Sequence, residues 1–181
     1  MRSHPNDRWA SPLREGPTAV STDLTPVIAA SARWLLAAYP PPAGALNRAL
    51  AETQARQATA LAAALRFPTA LDVELLHLLS PGGSHGLDGL TGHDPQPDDT
   101  AWRTWVDETV VSWAACFLAD PSLAARANRP DHGDLRRLTV PGPRDSEAAA
   151  LLRHPDLLEG VAALHRTELL ELLSAEDATL A

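Results

Sequence analysis

Lysine is absent from this chain, and all 15 of its basic residues are arginine. No Schiff-base lysine and no phosphate-loop lysine can therefore exist in it. Cys116 is the only cysteine, so no disulfide can staple the fold. A lone thiol fits a reducing compartment. Isoleucine, methionine and tyrosine occur once each, as Ile28, Met1 and Tyr39. Scarcity of residues with AT-rich codons reads as a GC-rich coding sequence rather than as selection on chemistry. No run of about 18 apolar residues occurs, so no membrane-spanning helix is expected. Arg2 and Arg8 are followed by no apolar segment of the secretory kind. A cytoplasmic location is the expectation. Basic surface is also scarce: 23 acidic residues face 15 basic ones, giving a net charge of -8. The one basic pair, Arg136-Arg137, is flanked by Asp131 and Asp134. Neither nucleic acid nor an anionic membrane is an expected partner, since both require a basic face.

What the chain does contain is helix signal. Residues 1–23 hold Pro5, Pro12, Gly16 and Pro17 and read as a flexible arm, with Trp9 as a docking residue, on this chain in preference to a partner. Residues 24–181 then read as a single helical domain, a length one core can serve. Thr25-Pro26 opens a first helix, stopped near Tyr39 by Pro40-Pro41-Pro42. It is apolar nearly all round, which predicts a central place in a bundle. A second helix is expected over 43–66, with a small or polar stretch between Thr53 and Ala60 that invites close approach. A third covers 69–79 and ends at Pro81-Gly82-Gly83. Residues 80–99 form a long Gly/Pro-rich loop carrying His85 and His93.

The fourth helix, expected over 99–119, places Trp102, Val106, Thr109, Val110, Trp113 and Phe117 on one face, with Asp107 and Glu108 outside it. Pro121 begins a short helical piece to Ala127, Ser146-Glu147 another to Arg153, and Pro155 a last helix that runs on to about Ser174. No alternating strand pattern appears, and Thr139-Val140 is too short for a sheet. The predicted class is all-α, a single-domain bundle of five to seven helices.

The motifs are sparse. A glycine-rich loop between strand and helix, His-Glu-x-x-His, paired cysteines and a Gly-x-Ser-x-Gly elbow are all missing. Glu74 and His77 have di-iron spacing, but they point away from the face set by Leu71, Leu75, Leu78 and Leu79, and no second copy follows. No metal site and no cofactor are expected from this pattern. Arg126 and His132 resemble the Arg–His pair of helical ribonucleases of the HEPN type, though Pro130 interrupts the helix that would hold both. In the last helix Leu157, Leu158, Val161, Leu164, Leu169 and Leu172 define an apolar face, and His165 and Glu168 fall inside it. A carboxylate in an apolar stripe must be paired, so these two are the candidate pair, structural or acid–base catalytic. Trp105 lies at the edge of the fourth helix's apolar face, where it can be exposed; with His85 and His93 it is a candidate ligand-binding residue. Cys116 reads as a small buried hydrophobe.

Glu74-Leu75-Leu76-His77-Leu78-Leu79 followed by Ser80-Pro81-Gly82 resembles the Glu-aromatic-x-x-Leu-Phe helix and Gly/Pro turn of the acidic, all-helical chaperones that mature molybdenum reductases. The resemblance spans about ten residues, lacks both aromatics, and implies a helical accessory role. Three expectations follow. The first is an accessory or binding protein holding a peptide or small apolar ligand between helices. The second is a small cofactor-free tailoring enzyme using His165 and Glu168 as acid and base. A third, weaker one is a metal-dependent helical oxygenase.

Overall fold

The computed structural model describes residues 24–79, 101–130 and 133–180, the backbone alone at 75–79 and 101–104. The expected arm, Trp9, the 80–99 loop with His85 and His93, His132 and the side chain of Trp102 lie outside the described residues.

Proline stands in the first turn of four of the nine helices among the described residues. α1 (Thr25–Ala38) has Pro26 in its first turn, where no N–H is needed, and ends at Tyr39, whose N–H donates to Leu35 O at 2.9 Å. Trp34 and Tyr39 meet edge to face with centroids 6.4 Å apart. Gly44 then turns the chain with φ +125°, a conformation that strains any L side chain, and α2 (Ala45–Arg66) follows. The small stretch of α2 does allow close approach: Ala51, Ala55, Ala58 and Ala62 are buried against α1 and the fourth helix. Thr59 settles its hydroxyl on Ala55 O at 2.9 Å, so its burial costs little. α3 (Ala70–Leu79) starts after Thr69, whose hydroxyl accepts from Asp72 N at 3.2 Å.

α4 (Ala101–Ala119) is the hub of the bundle. It packs on α1, on α2, and on three of the helices that follow it. Val106, Asp107 and every residue from Thr109 to Leu118 are buried. Two expectations are corrected here. The bundle is built around α4 and not around α1, and Asp107, 1% exposed, belongs to the interior. The physical reason lies in the small residues between the bulky ones. Thr109, Ser112, Ala114, Ala115 and Cys116 let neighbours approach from all sides, and a wheel drawn through tryptophan, valine and phenylalanine does not register them.

Beyond the hub come α5 (Pro121–Ala127), α6 (Arg136–Thr139), α7 (Pro143–Ala148), α8 (Pro155–Ala162) and α9 (Arg166–Thr179). Asp120 caps α5 by accepting from Ser122 N at 2.9 Å. The segment around α6 and α7 is tied down by polar side chains. Gln57 donates to Asp134 O at 2.8 Å, Gln54 to Asp145 O at 3.2 Å, and Arg137 pairs with Asp145 at 2.9 Å. Arg153, held by burial below the usual arginine pKa, donates to the carbonyls of Leu118 and Arg137 and so closes the C-terminal ends of α4 and α6. Arg129 and Arg126 pair with Glu176 and Asp177, joining α5 to the end of α9. The described residues form nine helices and no strand, an all-α fold. The helix expected to open at Ser146 instead covers Pro143–Ala148 and dissolves into turns by Ala149.

The expected last helix is also two. In an unbroken helix His165 N would donate to Val161 O. Here the Ser112 hydroxyl of α4 stands between them, donating to Val161 O at 2.6 Å and accepting from His165 N at 3.2 Å. Cys116 Sγ reaches the next carbonyl, Ala162 O, at 3.5 Å. The chain bends over 163–165, yet the buried positions keep one helical phase across the bend; it is the inward face that differs from the expected one. Leu157 and Leu164, expected to face the core, are 43% and 61% exposed, whereas Leu158, Ala162, Leu169 and Leu173 are buried. No helix among the described residues is long and apolar enough to cross a membrane.

Candidate functional site

The break between α8 and α9 decides where the candidate pair stands. His165 precedes α9 as its N-cap residue, and Glu168 lies in that helix's first turn. No hydrogen bond between them occurs among the described residues. His165 Nε2 lies 3.3 Å from Thr109 Oγ1, and Thr109 donates its own proton to Trp105 O at 2.8 Å. His165 Nδ1 is buried and has no hydrogen-bond partner among the described residues. Glu168 turns instead toward Arg66 at the end of α2, with Oε1 3.7 Å from Nη1. Its carboxylate also sits at the positive end of α9.

Trp105 is 48% exposed, as its edge position suggested. The Arg66 guanidinium lies over its ring at 5.1 Å from the centroid, a cation–π contact. Three expected site residues thus come into one neighbourhood. Trp105 meets His165 through Thr109, and meets Glu168 through Arg66. Cys116 is fully buried; its thiol is pushed up to about 11 by burial, with Arg166 opposing, and stays protonated. It is no nucleophile.

Beside this cluster a groove of about 510 Å³ opens between the end of α2, the start of α3, the middle of α4 and α9. Its floor is apolar, with Leu65, Trp113 and Leu172. Among the described residues its rim carries Asp72, Glu168 and Glu171 against one cation, Arg66. Trp113 is 1% exposed, and its buried Nε1–H has no acceptor among the described residues. A smaller hollow of about 250 Å³ lies under Pro40–Pro42 with Arg48 as its only charged residue. Sequence reasoning missed Arg66, Asp72 and Glu171. They come from three helices with no common spacing, and no signal short of the tertiary structure gathers them. Among the described residues no group of three histidine, cysteine, aspartate or glutamate side chains is arranged to hold a metal ion.

The groove can desolvate an apolar body and offer charge at its edge. Among the described residues its lining has no serine, threonine, cysteine or histidine. No family model, curated protein or solved structure is similar enough to this chain to count as a match.

Proposed function

We propose that this protein is a helical accessory protein that binds, without transforming, a small and largely apolar ligand in the groove between α2, α3, α4 and α9. The observation that carries the reading is the groove itself: its volume falls in the range of small-ligand sites, with an apolar floor and a few polar groups at the edge. The small-ligand branch is favoured over a peptide because a stable protein contact needs about 800 Å² on each partner. Reduced Cys116 agrees with a cytoplasmic protein, and the net charge of -8 speaks against nucleic acid as the ligand.

The enzymatic alternative keeps one observation in its favour, the buried Nδ1 of His165, which has no hydrogen-bond partner among the described residues. Against it, His165 is absent from the groove lining and Glu168 is directed to Arg66.

The test is to fill the groove. Ala175 on α9 lines it and is exposed, so Ala175→Phe adds bulk where no core atom must move. Binding of the neutral apolar dye Nile red, read by fluorescence, is expected to weaken at least about tenfold, equivalent to about 1.4 kcal/mol. The melting temperature should hold or rise. Equal dye binding by the variant and the parent would remove the groove from the function.

A further inference from the structure

Leu24, 1% exposed, is buried at the N-terminal end of α1. α1 packs along α2, and the Thr59 hydroxyl of α2 donates to Ile28 O of α1 at 3.5 Å. The turn over 39–44 makes the two helices antiparallel. Leu24 therefore lies about 6 Å beyond Ile28, and Leu65 about 9 Å beyond Thr59, toward the same end of the pair. Leu65 lines the groove. The 23 residues before Leu24 thus join the fold at the end of the bundle where the groove opens. Their composition complements it. Residues 1–14 hold Arg2, Arg8 and Arg14 against one acidic residue, Asp7, in a chain whose net charge is -8. Arg8 adjoins Trp9, the one tryptophan, tyrosine or phenylalanine in residues 1–23. The groove offers the matching pair of surfaces, an apolar floor of Leu65 and Leu172 beneath a rim with Asp72, Glu168 and Glu171.

Resting on the binding reading above, we propose that this chain's own Arg8–Trp9 segment occupies the groove when no ligand holds it, with the indole on the apolar floor and the guanidinium at the acidic rim. Segment and ligand then exclude one another, and the segment sets the affinity of the site. Reach is ample. Trp9 stands 15 residues before Leu24, a length of chain that can span about 50 Å, against about 33 Å for the whole of α2. Tryptophan brings a large apolar area to a floor of leucine. A tethered segment meets its own site at an effective concentration on the order of millimolar, so a contact too weak to last between separate molecules can fill the groove. Pro5 and Pro12 flank the segment and reduce the entropy lost when it docks. A segment that holds the groove about nine-tenths of the time weakens ligand binding about tenfold.

The test uses the full chain and Nile red, a neutral probe whose own binding does not follow the charge of the segment. Trp9→Ala is expected to bind the dye about tenfold tighter than the parent. Arg8→Glu should also tighten binding, by a factor that shrinks as salt rises from about 50 mM to about 500 mM. Melting curves confirm the fold of each variant. Position is read by NMR with a nitroxide attached through Ser11→Cys. Cys116 is fully buried and stays protonated, so it takes no label. The amides of Leu65, Leu172 and Ala175 should broaden, while that of Leu46, at the other end of α2, should stay sharp. Trp9→Ala should remove the broadening. A mixture of isotope-labelled chain with separate nitroxide-labelled chain should show none. Broadening in that mixture would assign the segment to a second copy and overturn self-occupancy. Parent-like dye affinity in both variants, or groove amides that stay sharp, overturns the inference; the groove reading then stands if Ala175→Phe still weakens dye binding. Dye binding untouched by Ala175→Phe removes the groove reading and this inference with it.

Discussion

Ser112 shows how one hydroxyl shapes a backbone 49 residues away. It is donor to Val161 O and acceptor from His165 N, so it completes a helix hydrogen bond by standing inside it. Ser112→Ala leaves the half-buried His165 N–H without a partner and Val161 O with only the Leu164 N–H at 3.2 Å. The expected loss is about 1–3 kcal/mol, read as a lower denaturation midpoint with unchanged slope. A loss below about 0.5 kcal/mol would mean that the 163–165 turn holds without it. Glu168→Gln should behave quite differently. Its carboxylate is partly exposed and 3.7 Å from Arg66, so the change should stay within about 0.5 kcal/mol. Cys116 adds a pH signature. Its thiol rises from an ordinary value of 9.0 to about 11 in the fold. Below pH 9.0 the thiol is protonated in both states and contributes no slope. Between pH 9.0 and about 11 the unfolded chain releases the proton while the folded chain retains it, so stability falls as pH rises. Cys116→Ala should show a shallower decline across that window in parallel pH melts.

At the scale of elements, the signals that end or begin helices locally were readable. Thr25-Pro26, Pro40–Pro42, Pro121 and Pro155 all act where they stand in the chain. The break at 163–165 was not readable, because its cause is a residue of another helix. The inward face of this last segment was not readable either: it runs through Leu158, Ala162, Leu169 and Leu173 and not through Leu157 and Leu164. Leu164 is the clearest case: its spacing from Leu157 is helical, yet both point outward. Leu164→Gln should therefore cost less than about 0.5 kcal/mol, as an exposed substitution does. Leu169→Ala, fully buried four residues past the turn, should cost about 2–5 kcal/mol. Comparable losses in the two variants would mean that Leu164 is packed in the core and not exposed.

The whole molecule is arranged around a helix that has no outside over half its length. α4 meets α1, α2, α5, α8 and α9, and its residues from Thr109 to Leu118 are all buried. All-α architecture was legible from the scattered prolines and leucine spacing. The identity of the hub was not, because alanine, serine and threonine carry little apolar signal yet make the close approach possible. The groove was hidden for a related reason: Arg66, Asp72, Trp113 and Glu171 come from four helices. Trp113→Ala should cost about 3–5 kcal/mol, since it empties the centre of the bundle as well as the groove floor.

That ten-residue buried run has a consequence for how the protein can vary. On an ordinary surface helix, tolerance to substitution rises and falls every 3.6 residues as positions turn in and out of solvent. From Thr109 to Leu118 no position turns out. A saturation scan scored for folded protein should therefore show a flat plateau of intolerance there, with no helical rhythm, and enlarging Ala114 or Ala115 should be rejected as firmly as truncating Phe117. Sequence drift in this protein would have to run around α4 and leave that stretch almost fixed.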